Sequence, residues 1–351
     1  MKRIALIPGD GIGAEVTREV ARLIDRLASS GTPLEGVEFD CGAERYLRSG
    51  VAITEDEMER LGRDFDAIFL GAMGDPRVPD NAHARAILLG LRFRLDLYIN
   101  LRPVRLLDER LSPLREPGAI DMVIFRENTE GVYAGVGGLL RAGTPDEVAI
   151  EEDINTRKGV ERIIRAAFEF ARSHGRKRVT LTDKANAMPH AGSLWRRTFA
   201  AVGNEFADIE REAVYADALA LDMVRRPGRY DVIVAPNLFG DLLSDLAAAL
   251  VGGLGVAPSA NLHPGRPGLF EPVHGSAPDI AGTDRANPLA ALLTAALMLD
   301  HLGLADEAKA VEAAVADAIR EGHVTPDLGG SHGTEAVGAW IRERVSRPAT
   351  A

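Results

Sequence analysis

Apolar residues along this chain recur in two patterns. Short unbroken runs at 2–7, 67–70, 121–125, 178–182 and 231–235 predict buried strands. Between and after them lie longer segments whose apolar positions return every three or four residues. Those at 15–27, 159–173, 193–202, 240–251, 287–302 and 306–321 predict helices. The alternation predicts an α/β architecture around a largely parallel sheet. No internal repeat, low-complexity tract or Ser/Gly-rich linker interrupts it, so two domains would share crossing segments, with a cleft between them as the natural ligand site.

Composition refines this mainly by exclusion. At 351 residues the chain has room for two domains. Its 46% hydrophobic and 26% charged residues are ordinary for a globular protein and exclude disordered and fibrous classes. A net charge of −11 argues against nucleic acid and membrane surfaces as partners, so an anionic ligand must meet a local cluster of arginines. One cysteine, Cys41, excludes an internal disulfide framework and a cysteine-based zinc site. It fits a reducing, cytoplasmic compartment and reads most simply as a small buried hydrophobe. The start lacks the apolar region of a signal peptide. The longest uncharged stretch, 246–262, is broken by glycines and Pro258 and falls short of the roughly 20 residues of a membrane span.

Several residue groups could carry chemistry. Gly9, Gly11 and Ala14 satisfy the G-x-G-x-x-A form of the dinucleotide fingerprint, but the acidic candidates Glu38 and Asp40 come too late in the chain, and a tight strand-to-helix turn explains the glycines as well. Arg92, Arg102 and Arg126 lie near apolar elements, where planar guanidinium forks suit a small polycarboxylate; exposed loop arginines are the alternative. Asp241 and Asp245 fall on one helical face, where like charges repel unless a cation lies between them. Magnesium or manganese would suit such oxygen ligands, with Asp217 as a possible third; otherwise Asp241 favours the helix's positive end and Asp245 is solvated. Lys184, at the end of a strand, is a candidate base or an ordinary solvated lysine. The Gly- and Pro-rich segment 270–282 would present backbone NH groups and His274 to a cofactor, although His274 could equally be a structural loop histidine.

Taken in order, Gly9–Gly13, Asn100-Leu101-Arg102-Pro103, Arg126–Tyr133, Asp183–Asn186, Asn237–Leu246, Glu271–Gly282 and Asn287-Pro288 resemble the β-decarboxylating dehydrogenases over nearly the whole chain. This is the family of 3-isopropylmalate, isocitrate, homoisocitrate and tartrate/D-malate dehydrogenases. The resemblance implies a two-domain, isopropylmalate-dehydrogenase-like α/β fold that is not a Rossmann fold. A split large domain, 1–98 and 252–351, would hold both ends and the cofactor loop. A small central domain, 99–251, would hold the dimer contacts, metal ligands and catalytic residues.

By the family pattern, Arg92, Arg102 and Arg126 bind the malate carboxylates, and Tyr133 and Lys184 are the acid-base pair. Asp217, Asp241 and Asp245 hold Mg2+ or Mn2+, with Lys184 and Asp217 supplied by the partner of a homodimer. Glu271, His274, Gly275, Ala277, Asp279 and Asn287 match the adenosine-binding segment, and Asp279 implies NAD rather than NADP. Lys184 would take the C2 hydroxyl proton, hydride would pass to NAD, carbon dioxide would leave, and Tyr133 would protonate C3. Leu88 and Leu89, near Arg92, with Ala187 supplied by the partner subunit as the far wall, imply an apolar γ-group. 3-Isopropylmalate is the leading substrate, in leucine biosynthesis; tartrate, D-malate, isocitrate and homoisocitrate are the alternatives, with a specialised-pathway paralogue also open. A non-enzymatic dicarboxylate binder would have no need of Lys184, Tyr133 and three metal carboxylates together.

Overall fold

A computed structural model describes residues 1–345. The chain opens with β1 (Lys2–Ile7), α1 (Ile12–Ser29), β2 (Leu34–Glu38), α2 (Ala43–Ser49), α3 (Glu55–Arg63), β3 (Ala67–Leu70) and α4 (Ala82–Arg94). Next come β4 (Ile99–Arg105), β5 (Asp121–Glu127), β6 (Gly137–Leu140), β7 (Val148–Glu151), α5 (Arg157–Ser173), β8 (Arg178–Asp183), α6 (Pro189–Gly203), β9 (Glu210–Tyr215), α7 (Ala216–Arg225), β10 (Val232–Ala235) and α8 (Asn237–Ala249). It continues through β11 (Ala260–Leu262), β12 (Gly268–Phe270), α9 (Leu289–His301), α10 (Ala305–Glu321) and α11 (Thr334–Val345).

Two compact units result. The first takes Met1–Leu97, Leu106–Arg115 and the described residues from Ala248 on; the second takes Tyr98–Arg105 and Glu116–Ala247. The expected division is 1–98 and 252–351 against 99–251; here 106–115 and 248–251 cluster with the first unit and Tyr98 with the second.

In the first unit the strand order is β2-β1-β3-β12-β11, parallel except for the antiparallel β11/β12 pair. β1 and β3 are near-continuous apolar runs because helices cover both faces of such sheets. Helix α1 buries one stripe, Val16, Val20, Leu23, Ile24 and Leu27, whereas α9 is buried almost all round. Thr54 and Glu57 close a capping box at the start of α3.

In the second unit the order is β4-β5-β10-β8-β9, with only β4/β5 antiparallel. Helix α5, capped by Thr156, packs its buried Val160, Ile163, Ile164, Ala167 and Phe168 into the core. A separate antiparallel hairpin, β6/β7, is exposed throughout. No helix among the described residues is long and apolar enough to cross a membrane.

Candidate active site

Parallel pairing of β5 with β10 sets Arg126 opposite Ala235, at the strand ends that lead into α8. Arg126 is 2% exposed, and a charge so buried must be met by partners. Its Nε donates to Asn237 Oδ1 at 2.9 Å, and its Nη1 pairs with Asp241 Oδ1. Tyr133 donates its hydroxyl to Asp241 Oδ2 at 2.6 Å and presents its ring to the Arg126 guanidinium, 5.1 Å away. Burial and the adjoining Asp241 carboxylate raise the Tyr133 phenol above its ordinary value. Gly240 is required here, because a Cβ would stand 2.7 Å from the Arg126 side chain.

The turn from β5 to Tyr133 is held from both sides. The buried Glu127 carboxylate accepts from the backbone NH groups of Thr129 and Glu130, and Asn237 Nδ2 donates to the Glu130 carbonyl at 2.9 Å. One helical turn beyond Asp241, Asp245 is about half exposed, with Arg102 Nη1 at 3.8 Å; Arg102 Nε in turn donates to Asn100 Oδ1 at 2.7 Å. Burial, with negative Asp241 alongside, raises the Asp245 carboxyl against the pull of Arg102.

A second cluster lies at the ends of β8 and β9. These parallel strands pair Asp183 with Tyr215, and just beyond them Lys184 Nζ meets Asp217 Oδ1 at 2.8 Å within one chain. The Lys184 hydrogen bond holds the Asp217 carboxyl below its usual range. Neither residue hydrogen-bonds or ion-pairs with Asp241 or Asp245. Accordingly, no group of three or more His, Cys, Asp or Glu side chains converges on a metal-sized point among the described residues. What one chain offers a cation is the Asp241/Asp245 pair, hard oxygen donors on one helical face with one carboxyl raised by burial, and this donor set fits a hard divalent ion.

The remaining expected residues lie in the first unit. Arg92 is buried on α4 and donates from Nη2 to Glu271 Oε1 at 2.8 Å, and Asn261 Nδ2 donates to the same oxygen at 2.9 Å. A residue expected to bind substrate thus touches one expected to bind cofactor. Leu88 and Leu89 are half-buried, and Leu88 packs against the core around Ile87 and Leu91. In the 271–282 loop, His274 Nδ1 faces the Gly275 carbonyl at 3.1 Å, and its buried Nε2 has no hydrogen-bond partner. Burial lowers the His274 pKa. That makes the ring neutral at physiological pH, with Nε2 free to accept, and an orphaned acceptor suits a bound nucleotide. Gly275 and Asp279 are exposed, and Ala277 adopts a positive φ of 36°. Asn287 Oδ1 accepts from Leu289 N, the first residue of α9, and its Nδ2 donates to Asp327 Oδ2 at 2.9 Å, so its side chain has a structural task.

The glycine turn after β1 is explained by backbone approach rather than by a phosphate. A Cβ on Gly9 would stand 2.2 Å from the Ala72 carbonyl oxygen, and one on Gly11 would stand 2.2 Å from that of Ser276. The Ser276 oxygen accepts from Ile12 N, and the Asp10 carboxylate takes Ala43 N, Gly74 N and His83 Nε2, so these polar groups of the turn are engaged within the protein itself. Sequence reasoning missed Asn100, Asn237, Asp183 and Arg196. Asn100 carried a signal, since it stands two before Arg102 on one strand and therefore shares its face.

Comparison with known proteins shows the family. The isocitrate/isopropylmalate dehydrogenase family model matches residues 3–341. The 3-isopropylmalate dehydrogenase of Corynebacterium kroppenstedtii is 49% identical over 334 residues, covering 93% of this chain and 97% of that protein. That of Corynebacterium jeikeium is 51% identical over 316 residues, covering 89% and 92%. The crystal structure of isocitrate dehydrogenase from Methylococcus capsulatus superposes with a TM-score of 0.91 at 37% identity, covering 99% of this chain and 100% of that one. A β-decarboxylating dehydrogenase from Thermococcus kodakarensis gives 0.80 at 36%, covering 98% and 96%. With these matches spanning nearly all of its length, the chain belongs to the isocitrate/isopropylmalate dehydrogenase family.

Proposed function

We propose that this chain oxidatively decarboxylates a 3-substituted malate with NAD, that 3-isopropylmalate is the substrate and leucine biosynthesis the setting, and that two copies share each active site. The observation that carries this reading is the contact of Arg126, Tyr133 and Asp241: a carboxylate-binding fork, a proton donor and a metal-type ligand on one point. Relatives at about 49% identity named 3-isopropylmalate dehydrogenase support the substrate.

Bound magnesium or manganese, held by Asp241 and Asp245 with the partner's Asp217, would polarise the C2 oxygen, and bound NAD would accept the hydride. The protein's own groups do the rest. Arg102 and Arg126, with Arg92, orient the malate carboxylates. Lys184 takes the C2 hydroxyl proton, and Tyr133 returns a proton to C3 after carbon dioxide leaves. The test is NADH formation, followed by absorbance with NAD, magnesium and a panel of malates; no turnover of any of them overturns the reading.

One observation favours a second reading, a substrate with a charged γ-group such as isocitrate. Arg85 stands two helical turns before Arg92 on α4, is exposed, and makes no hydrogen bond or ion pair among the described residues.

A further inference from the structure

Lys184 directly follows β8 and Asp217 lies in the first turn of α7, just beyond β9, and the sequence between them supplies a third group that touches both strand ends. Arg196, on α6, donates from Nε to Asp183 Oδ2 at 2.8 Å and from Nη2 to Oδ1 at 3.0 Å. Its guanidinium carbon also lies 4.6 Å from the Tyr215 ring centroid. Asp183 and Tyr215 are the last paired residues of β8 and β9, directly opposite each other, and Lys184 and Asp217 follow them by one and two residues.

We propose that Arg196 is a positioning residue, a clamp across the two strand ends that sets the separation and direction of the Lys184–Asp217 pair. The proposal rests on the reading of Lys184 as the base. Asp183 is 2% exposed, and among the described residues its carboxylate accepts, besides Arg196, only from Ala185 N, at 3.0 Å. Without the guanidinium, a buried carboxylate would be left with one donor, and the turn carrying Lys184 would shift to let it protonate or reach water. That turn is otherwise tightly made. Ala187 and Met188 both donate to the Lys184 carbonyl, and Gly192 of α6 leaves room for Ala185, since a Cβ there would lie 2.3 Å from the Ala185 Cβ. A planar fork that binds a carboxylate in bidentate fashion while its face lies on an aromatic ring is a task lysine cannot perform.

The test uses the full-length protein and two variants, Arg196→Ala and Arg196→Lys. For Arg196→Ala, kcat should fall by about 10–100-fold with the KM for NAD within twofold of wild type, because displacing a reacting group by about 1 Å has that effect. Arg196→Lys should recover only part of the loss, and millimolar guanidinium should restore activity to Arg196→Ala. Amide hydrogen exchange at 183–188 and 215–219 should quicken in Arg196→Ala while the rest of the second unit keeps its wild-type protection. The exchange measurement needs no turnover, so it decides the clamp even if the wild-type protein oxidises none of the malates. Unchanged exchange at both strand ends overturns the proposal. So does acceleration spread over the whole unit, or full activity in Arg196→Lys. If Arg196→Ala does not fold, Arg196→Lys alone carries both readouts.

Discussion

The Tyr133 hydroxyl donates at 2.6 Å to the same Asp241 carboxylate that Arg126 grips through its other oxygen. In the proposed mechanism this phenol is the proton donor to C3. Burial and Asp241 both raise its pKa, so it stays protonated past its ordinary value of 10. Tyr133→Phe should lower kcat for decarboxylation by roughly 10²–10⁴-fold, the range for loss of a general acid. The wild-type pH-rate profile should show no limb from Tyr133 below pH 10. Measuring kcat against pH for both proteins checks both points, and a Tyr133→Phe enzyme within threefold of wild type removes Tyr133 from the chemistry.

Metal binding should be visible without turnover. The raised Asp245 carboxyl means that its ionised form is disfavoured in the folded chain. Its ionisation therefore lowers stability as pH rises from the ordinary carboxyl range through the raised folded value. A divalent cation reverses that penalty. Magnesium at about 100 times its Kd should stabilise the wild-type protein by about 2.7 kcal/mol. Asp245→Asn should leave metal-free Tm unchanged or slightly higher and abolish the magnesium-dependent rise. Thermal melts with and without magnesium and with a chelator test this, and full activity in chelator would remove the metal from the mechanism.

How much of this was legible in the sequence depends on what water leaves exposed. Strands β1, β3 and β10 are buried on both faces and stand out as unbroken apolar runs, whereas β9, Glu210–Tyr215, lies at the edge of its sheet with mostly exposed side chains and has no such signature. The hairpin β6/β7 is exposed on every residue and is equally silent. Apolar period marks α1, α5, α6, α8, α9 and α10 with shifted ends and leaves α2, α3, α4, α7 and α11 unmarked: α8 begins at Asn237 rather than 240, where Asn237 turns its amide to Arg126, and α9 runs Leu289–His301 inside the expected 287–302. Individual site residues announced themselves by type and spacing. Their pairings did not, since Arg126–Asp241 and Lys184–Asp217 are set by strand register, a long-range property that no local pattern encodes.

Shared active sites can be tested by complementation. Lys184 and Asp217 pair with each other and with neither Asp241 nor Asp245 in the same chain, so a dimer that delivers the first pair to the partner's second pair would divide the machinery between copies. The exposed apolar residues Leu139, Leu140, Leu221 and Leu242 of the second unit supply surface for such an association. Lys184→Met and Asp245→Asn should each be inactive alone. Mixed at equal amounts after dissociation and reassembly, they should recover roughly a quarter of wild-type activity, because half the dimers are mixed and each mixed dimer keeps one intact site. No recovery despite exchange of subunits would place all the groups in one chain.

Cofactor choice should follow Asp279. Its carboxylate is exposed and can accept from a ribose 2′-hydroxyl, but it would repel a 2′-phosphate. At a partly exposed site that repulsion is worth about 1–3 kcal/mol, or roughly 5–150-fold in kcat/KM for NAD over NADP. Asp279→Lys should narrow or invert the ratio. Steady-state rates with the two cofactors settle it, and equal efficiency in the wild-type enzyme counts against this role.

If Arg92 binds the malate as proposed, the choice of substituent on C3 should be made on α4, where Leu88, Leu89 and Arg85 lie within two turns of Arg92. Leu88 and Leu89 are half-buried and would cover an apolar γ-group. Burying an isopropyl group there is worth about 0.8 kcal/mol per methylene-sized unit, so about 2 kcal/mol should separate 3-isopropylmalate from malate in kcat/KM. Arg85 pulls the other way. With no ion-pair partner among the described residues, it is available to a γ-carboxylate, which the leucines alone would leave desolvated and unmet. The two forces give opposite signatures in one variant. If the pocket is apolar, Arg85→Ala changes kcat/KM for 3-isopropylmalate by less than about threefold, within the 0.5 kcal/mol of an ordinary surface substitution. If Arg85 reads the γ-group, wild-type kcat/KM for isocitrate exceeds that for 3-isopropylmalate. Arg85→Ala then costs isocitrate about 2–3 kcal/mol, the strength of a charge-assisted hydrogen bond, while 3-isopropylmalate gains. Steady-state kinetics of wild type and Arg85→Ala with D-malate, tartrate, isocitrate and 3-isopropylmalate distinguish the two, and the isopropylmalate assignment falls if isocitrate or tartrate is the better wild-type substrate.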